Sequence, residues 1–180
     1  RALGDRFLLV TQNVDGLHLR AGSSRARTYQ IHGNIHFIRC AGAHGEEIVE
    51  IPPAVPGLSP DDPLPDAVRG LLRCARCQGW ARPHVLWFDE YYDEELYRFE
   101  SSLRAAAAAA VLVTVGTSGS TNLPNQMVAV ARQSGAFLID INPEENRFGR
   151  TAEAAHGVAL RGTSSEELPR LVAALTNHVL

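Results

Sequence analysis

Along the chain, short apolar runs alternate with amphipathic stretches. Phe7-Leu8-Leu9-Val10 has the texture of a buried strand over 7–11, and it runs straight into Gln12, Asn13 and Asp15, interrupted only by Val14. A brief helical segment is predicted near 15–21, then two short strands at 29–32 and 35–39. From 40 to about 82 the periodicity dissolves. Prolines cluster there at Pro52, Pro53, Pro56, Pro60, Pro63 and Pro65, which predicts loop-rich ground in need of a staple. Regular structure is expected again at Val85-Leu86-Trp87-Phe88.

Positions 93–110 predict one helix, with acids in its first turn and Leu96, Phe99, Leu103 and Ala107 on its apolar face. The β-branched run Val111-Leu112-Val113-Thr114-Val115 predicts a strand stopped by Gly116. A helix at 124–134 ends at Gly135, a strand follows at 137–141, then a short helical stretch and a strand at 158–160. Ser164-Ser165-Glu166-Glu167 reads as a capping box opening the last helix, with Leu168, Leu171, Val172 and Leu175 on its buried face. Pro169 is tolerated that close to a helix start. Strands alternating with helices predict an α/β fold, a parallel sheet covered by helices on both faces. Ligands of such sheets bind at the carboxyl ends of the strands. Three polar loops then gather on one rim: 12–15, 116–118 and 142–144.

Composition narrows this picture. The 180 residues are 45% hydrophobic and 21% charged, as in a soluble globular domain with room for a small insert. A net charge of −3 without a basic run gives little electrostatic case for nucleic acid. No apolar stretch approaches the ~20 residues that span a bilayer, so no membrane partner is expected. The start, Arg1-Ala2-Leu3-Gly4-Asp5, has no apolar segment of a secretory signal behind it, and a chain that opens almost inside a strand is expected to be a fragment or a trimmed product. Three cysteines suit a reducing compartment, by default the cytoplasm, with the thiols used for metal.

The candidate chemistry is modest motif by motif. Amides and a carboxylate at 12–15 suit a ribose or carboxamide ligand, although a plain turn competes. Gly116-Thr117-Ser118 exposes N–H groups and hydroxyls fit for phosphate or ribose. Asn142-Pro143-Glu144 suits sugar hydroxyls, with a helix N-cap at Asn142 as the competing reading. His32, in Ile31-His32-Gly33-Asn34, is the side chain best suited to take a proton near neutral pH, and Gly33 behind it suggests a tight turn presenting the ring. Cys74-Ala75-Arg76-Cys77 has metal-knuckle spacing, with Cys40 upstream. A second Cys-x-x-Cys would put the fourth ligand at position 43, which is Ala43; His44, one residue on, has a suitable nitrogen. Arg82-Pro83-His84-Val85-Leu86-Trp87-Phe88-Asp89-Glu90 is either core packing or an apolar channel for a substrate chain.

In chain order, "TQNVDGLH", "HGN", the cysteine pair, "RPHVLWFDE", "VGTS", "INPE" and "RGTSSEELP" together resemble the sirtuins, NAD-dependent protein lysine deacylases, most of all the bacterial type. The resemblance implies a partial Rossmann-like NAD-binding domain at 1–39 and 83–180 and a small zinc-binding insert at 40–82. It implies that Gln12, Asn13, Val14 and Asp15 line the nicotinamide and ribose pocket, with Asn13 and His32 catalytic and His32 the general base. Gly116, Thr117 and Ser118 would hold ribose and phosphate, Asn142, Pro143 and Glu144 the adenosine ribose, and Ser164 would lie by the adenine. Val85, Leu86, Trp87 and Phe88 would border the channel of an acyl-lysine protein or peptide. A structural zinc would sit on Cys40, His44, Cys74 and Cys77. The products would be free lysine, nicotinamide and an O-acyl-ADP-ribose. Mono-ADP-ribosyl transfer, or a non-catalytic zinc-stapled binding module, are the alternatives. Two departures stand out: Phe88-Asp89-Glu90 replaces the usual Phe-Gly-Glu, which removes backbone freedom, and the glycine-rich first loop of the family is absent. Weak NAD binding by this chain alone is therefore expected.

Overall fold

Regular structure begins where the first apolar run predicts it. The computed structural model describes residues 3–42, 44–57, 59 and 61–179; Arg1, Ala2, Ala43 and Pro60, read above, lie outside them. Two units form, Phe7–Arg98 and Phe99–Leu180 with Arg1–Arg6.

In the first unit, β1 (Leu9–Thr11) is followed by the short α1 (Leu17–Arg20) and pairs in parallel with β2 (Thr28–Gln30), Val10 opposite Tyr29. β3 (Gly33–Cys40) then crosses to a separate antiparallel sheet with β4 (Ile48–Glu50) and, after α2 (Asp66–Leu71), β5 (Ala81–Val85), in the order β4-β3-β5. On β3, Ile38 and Cys40 turn inward two residues apart, as a pleated strand requires. The unit ends with α3 (Glu94–Tyr97).

The second unit is the α/β alternation in its plain form. After α4 (Phe99–Ala108) come β6 (Val111–Val115), α5 (Asn122–Gln133), β7 (Phe137–Ile141), α6 (Arg147–Ala154), β8 (Val158–Leu160) and α7 (Ser164–Val179). The three strands form a parallel sheet, β6-β7-β8, with Val113 opposite Ile139 and Ile139 opposite Val158. Ala106, Val128, Ala131, Leu138, Phe148 and Ala152 make its core.

Several expectations are corrected. The parallel strands fall into two sheets rather than one, and β3 to β5 are antiparallel. The stretch 40–82 is not patternless, since it holds β4 and α2, the latter anchored by buried Val68. The regular structure expected from Val85 onward begins earlier, as the strand Ala81–Val85, because an edge strand tolerates Pro83. The helix expected over 93–110 breaks at Arg98, which is left-handed (φ 57°). Tyr97 is the reason: it is 1% exposed and lies flat on the His84 ring, centroids 5.5 Å apart. The buried positions beyond it are Ser102 and Ala106, while Ala107 is exposed. In α7 the cap is made one residue early, at Thr163, and it is one-sided: the Thr163 N–H and hydroxyl both donate to Glu166, and Val172 is exposed.

Candidate functional site

His32 stands on the turn between β2 and β3, and Gly33 makes that turn possible. Gly33 has φ +83°, and a Cβ there would come within 2.0 Å of the His84 carbonyl oxygen. Nδ1 of His32 is 3.1 Å from the Gln12 carbonyl. A carbonyl only accepts, so Nδ1 carries the proton and Nε2 keeps the lone pair. Burial pushes the His32 pKa below its usual 6.5, against the opposing pull of the Gln12 carbonyl, so the ring is neutral at pH 7. A half-buried, neutral imidazole of fixed tautomer is a competent proton acceptor.

The loop at 12–15 is tied to the strand that follows His32. Thr11 Oγ1 accepts from Asn13 N–H, Ile35 N–H donates to the Val14 carbonyl, and His36 Nε2 donates to the Asp15 carbonyl. Asp15 Oδ1 accepts the Leu17 N–H, the turn function that competed with a ligand role. Buried Asn34, whose Nδ2 donates to Gln30 Oε1 at 2.7 Å, braces the same corner. It stood inside the His-Gly-Asn motif but carried no role in the sequence reading.

The segment 85–88 joins His32 directly: Leu86 N–H donates to the His32 carbonyl at 3.0 Å. Val85 and Leu86 are half-buried, whereas Trp87 is 50% exposed and Phe88 fully exposed, so core packing does not account for these aromatics. Glu90 holds the turn. It pairs with Arg82 and Arg39 and accepts the Trp87 N–H at 2.9 Å, while the Arg82 guanidinium lies 3.6 Å over the Trp87 ring. Tyr92, two residues on, reaches His32 Nε2. Sixty residues separate the pair in sequence, and nothing in the linear pattern links them.

In the second unit, the loops after β6 and β7 meet. Gly116 N–H donates to the Ile141 carbonyl, and Asn142 Nδ2 to the Thr117 carbonyl. A cavity of about 410 Å³ opens between them, lined by Gly116, Ser118, Asn142 and Glu144 together with Arg147 and Arg150. Thr117, Pro143 and Ser164 do not line it. The helix cap is Asn146 rather than Asn142: its Oδ1 accepts from the Phe148 and Gly149 N–H groups. Asp140, wholly buried, accepts from Thr114 and Asn146 and braces the loops from below. Arg147 and Arg150 are cations that sequence reasoning missed; Glu144 and Glu145 line the same cavity, and Glu145 pairs with Arg150 at 2.9 Å. The only signal of the two arginines was a position on the first turns of α6.

Cys40, His44, Cys74 and Cys77 gather with their ligating atoms within 4.8 Å of one another. Cys40 Sγ is 3.7 Å from Cys77 Sγ, and Cys74 Sγ 3.8 Å from His44 Nδ1. A tetrahedron with Zn–S of about 2.3 Å has sulfur–sulfur edges of about 3.8 Å, so this set fits a structural zinc. The knuckle turns at Gln78 (φ 58°) and closes through Cys74 N–H to the Gly79 carbonyl. The Gly42 N–H beside Cys40 brings that thiol down to about 7, towards the thiolate a metal requires.

The Sir2 family model matches residues 2–122. A protein of Leptospira interrogans named NAD-dependent protein deacylase is 36% identical over 168 residues, 92% of this chain and 59% of that protein. One of the same name from Thermus thermophilus is 39% identical over 141 residues, 78% of this chain and 48% of that protein. Among solved structures, a Sir2 homolog–NAD complex superposes with a TM-score of 0.75 at 28% identity, over 96% of this chain and 59% of that one. A Sir2 homologue variant with 2'-O-acetyl ADP ribose gives 0.76 at 29% identity, over 98% and 63%. The chain thus spans about three fifths of the length of the curated relatives it matches.

Proposed function

This chain belongs to the Sir2 family, and on that premise we propose that it forms the larger part of an NAD-dependent protein lysine deacylase. The observation that carries the reading is the convergence on His32. A neutral ring is held by the Gln12 carbonyl, and its own carbonyl is held by the segment that exposes Trp87 and Phe88. One loop then serves the cosubstrate and the other the acyl-lysine chain, with the base between them.

NAD, when bound, supplies the anomeric carbon that the acyl oxygen attacks as nicotinamide leaves. Gln12, Asn13, Val14 and Asp15 line its nicotinamide and ribose. Asn13 and His32 are the catalytic pair, and His32 Nε2 takes the proton of a ribose hydroxyl. Gly116, Thr117 and Ser118 hold ribose and phosphate, a role that Arg147 at the same cavity favours. Asn142, Pro143 and Glu144 serve the adenosine ribose, and Ser164 the adenine. Val85, Leu86, Trp87 and Phe88 border the acyl-lysine protein or peptide. The same reading assigns 1–39 and 83–180 to the NAD-binding domain and 40–82 to the zinc insert. Thiols kept for metal suit the cytoplasm, where the reading puts the protein.

Nicotinamide release tests this. The chain, and the chain extended at its N-terminus by the matching segment of a relative, are incubated with NAD and an acetyl-lysine peptide. Release that requires peptide, and falls by at least about a hundredfold in His32→Ala, is the expected result. Release without peptide but with labelled protein would turn the assignment to ADP-ribosyl transfer. Turnover untouched by His32→Ala would sink the role of the base.

A further inference from the structure

The lone pair of His32 is already occupied. With the Nδ1 proton given to the Gln12 carbonyl, Nε2 is the acceptor, and the Tyr92 hydroxyl lies 2.7 Å from it. The phenol is therefore the donor in this pair. The two rings are stacked, centroids 5.8 Å apart and 28° between planes, so Tyr92 covers the ring as well as capping its nitrogen. Tyr92 follows directly on the turn whose first N–H, from Leu86, holds the His32 carbonyl and whose Trp87 N–H is held by Glu90. The base and the segment that exposes Trp87 and Phe88 are thus fastened together at two points, through the His32 backbone and through its side chain.

We infer that Tyr92 is a gate on the His32 base: its hydroxyl occupies Nε2, and a ribose hydroxyl reaches that nitrogen only after Tyr92 has given it up. The inference rests on the reading of His32 as the base. Tyr92 is a positioning residue, since it acts through the imidazole. While it donates, it holds the ring in the Nδ1–H tautomer. Once the imidazole has gained a proton, the same hydroxyl is able to turn and accept from Nε2–H, because a phenol both donates and accepts. The segment from Leu86 to Tyr92 thereby links the occupancy of the apolar face to the availability of the base.

Carbethoxylation with diethylpyrocarbonate, which acylates the unprotonated nitrogen of a neutral imidazole, reads that availability without NAD or turnover. The rate at each of the seven histidines is followed by peptide mass spectrometry at neutral pH. Tyr92→Phe keeps the ring and removes the hydroxyl that donates to Nε2. His32 is expected to react about tenfold faster in Tyr92→Phe, the scale of one lost buried hydrogen bond, with the other histidines unchanged. Equal rates at His32 in parent and variant overturn the gate. If buried His84 accelerates in step, the nitrogen-15 shift of His32 Nε2 decides. A move to the free-acceptor position in Tyr92→Phe supports the gate, and an unmoved resonance overturns it. Failure of the base reading is seen separately, in the turnover of His32→Ala.

Discussion

Glu90 shows how much one side chain is asked to hold. Its carboxylate sits between two guanidiniums, Arg82 and Arg39, and also accepts the Trp87 N–H. Arg82 above all draws its pKa from 4.5 down to about 2, more than burial raises it. With the folded value below the unfolded one, the contribution is fully present above about 4.5 and is lost as pH falls towards 2. It is worth on the order of 2 kcal/mol at neutral pH. Glu90→Gln is therefore expected to lower the unfolding free energy by roughly 2 kcal/mol at pH 7, with a gap to the parent that closes towards pH 3. Urea titrations at pH 7, 5 and 3 check this, and a gap independent of pH would mean the ion pairs are not what Glu90 contributes. Arg82 and Glu90 were both visible in the sequence as parts of one segment. Their pairing was not, because eight residues of separation on a turn of unknown shape places no two side chains together. His32 and the 12–15 loop stood out as candidates for the opposite reason: polar residues at the end of an apolar strand and before a glycine are costly to put there.

At the scale of elements, legibility follows local self-sufficiency. β7 and β8 lie where the pattern puts them, because apolar, β-branched runs bounded by turns need no distant partner to declare themselves. The break between α3 and α4 is silent in the sequence, since Arg98 has good helix propensity and only the burial of Tyr97 against His84 forces it left-handed. That geometry makes a signed prediction. Arg98→Gly is expected to stabilise the chain by about 1 kcal/mol, because glycine adopts the left-handed C-cap without strain. Were 94–108 one continuous helix, the same change would destabilise by a similar amount. A shift in the thermal midpoint in either direction separates the two. The zinc knuckle is the other element whose form depends on something non-local. Cys74→Ser is expected to abolish the binding of about one zinc per chain, read by elemental analysis, and to open 40–82 to proteolysis while the β6-β7-β8 sheet stays protected. Protection of 40–82 in the zinc-free variant would show that the insert folds without its staple.

At the scale of the whole molecule, the sheet of the second unit ends in β6 on one side and in the shorter β8 on the other. Among the described residues β6 pairs with β7 alone, and Val111, Val113 and Val115, alternate residues on one face, are 44%, 36% and 38% exposed. An apolar row beside unpaired N–H and C=O groups is costly in water and templates strand addition. β-branched sequence predicted this strand correctly, yet it could not say that the strand would be an edge, because neighbours in a sheet are set by topology and not by the strand's own residues. About two fifths of a relative's chain lies outside the match, so its sheet need not end at the equivalent strand. The chain on its own is therefore expected to self-associate through β6, and a charge placed mid-edge should prevent it. Val113→Lys is predicted to raise the monomer fraction in sedimentation velocity by at least severalfold at equal concentration, with the circular dichroism spectrum unchanged. Val172→Lys, on the exposed side of α7, serves as the control for added charge alone. If both lysines act equally, net charge and not the open edge governs association. If Val113→Lys alone acts, the β6 edge is the surface through which the chains associate.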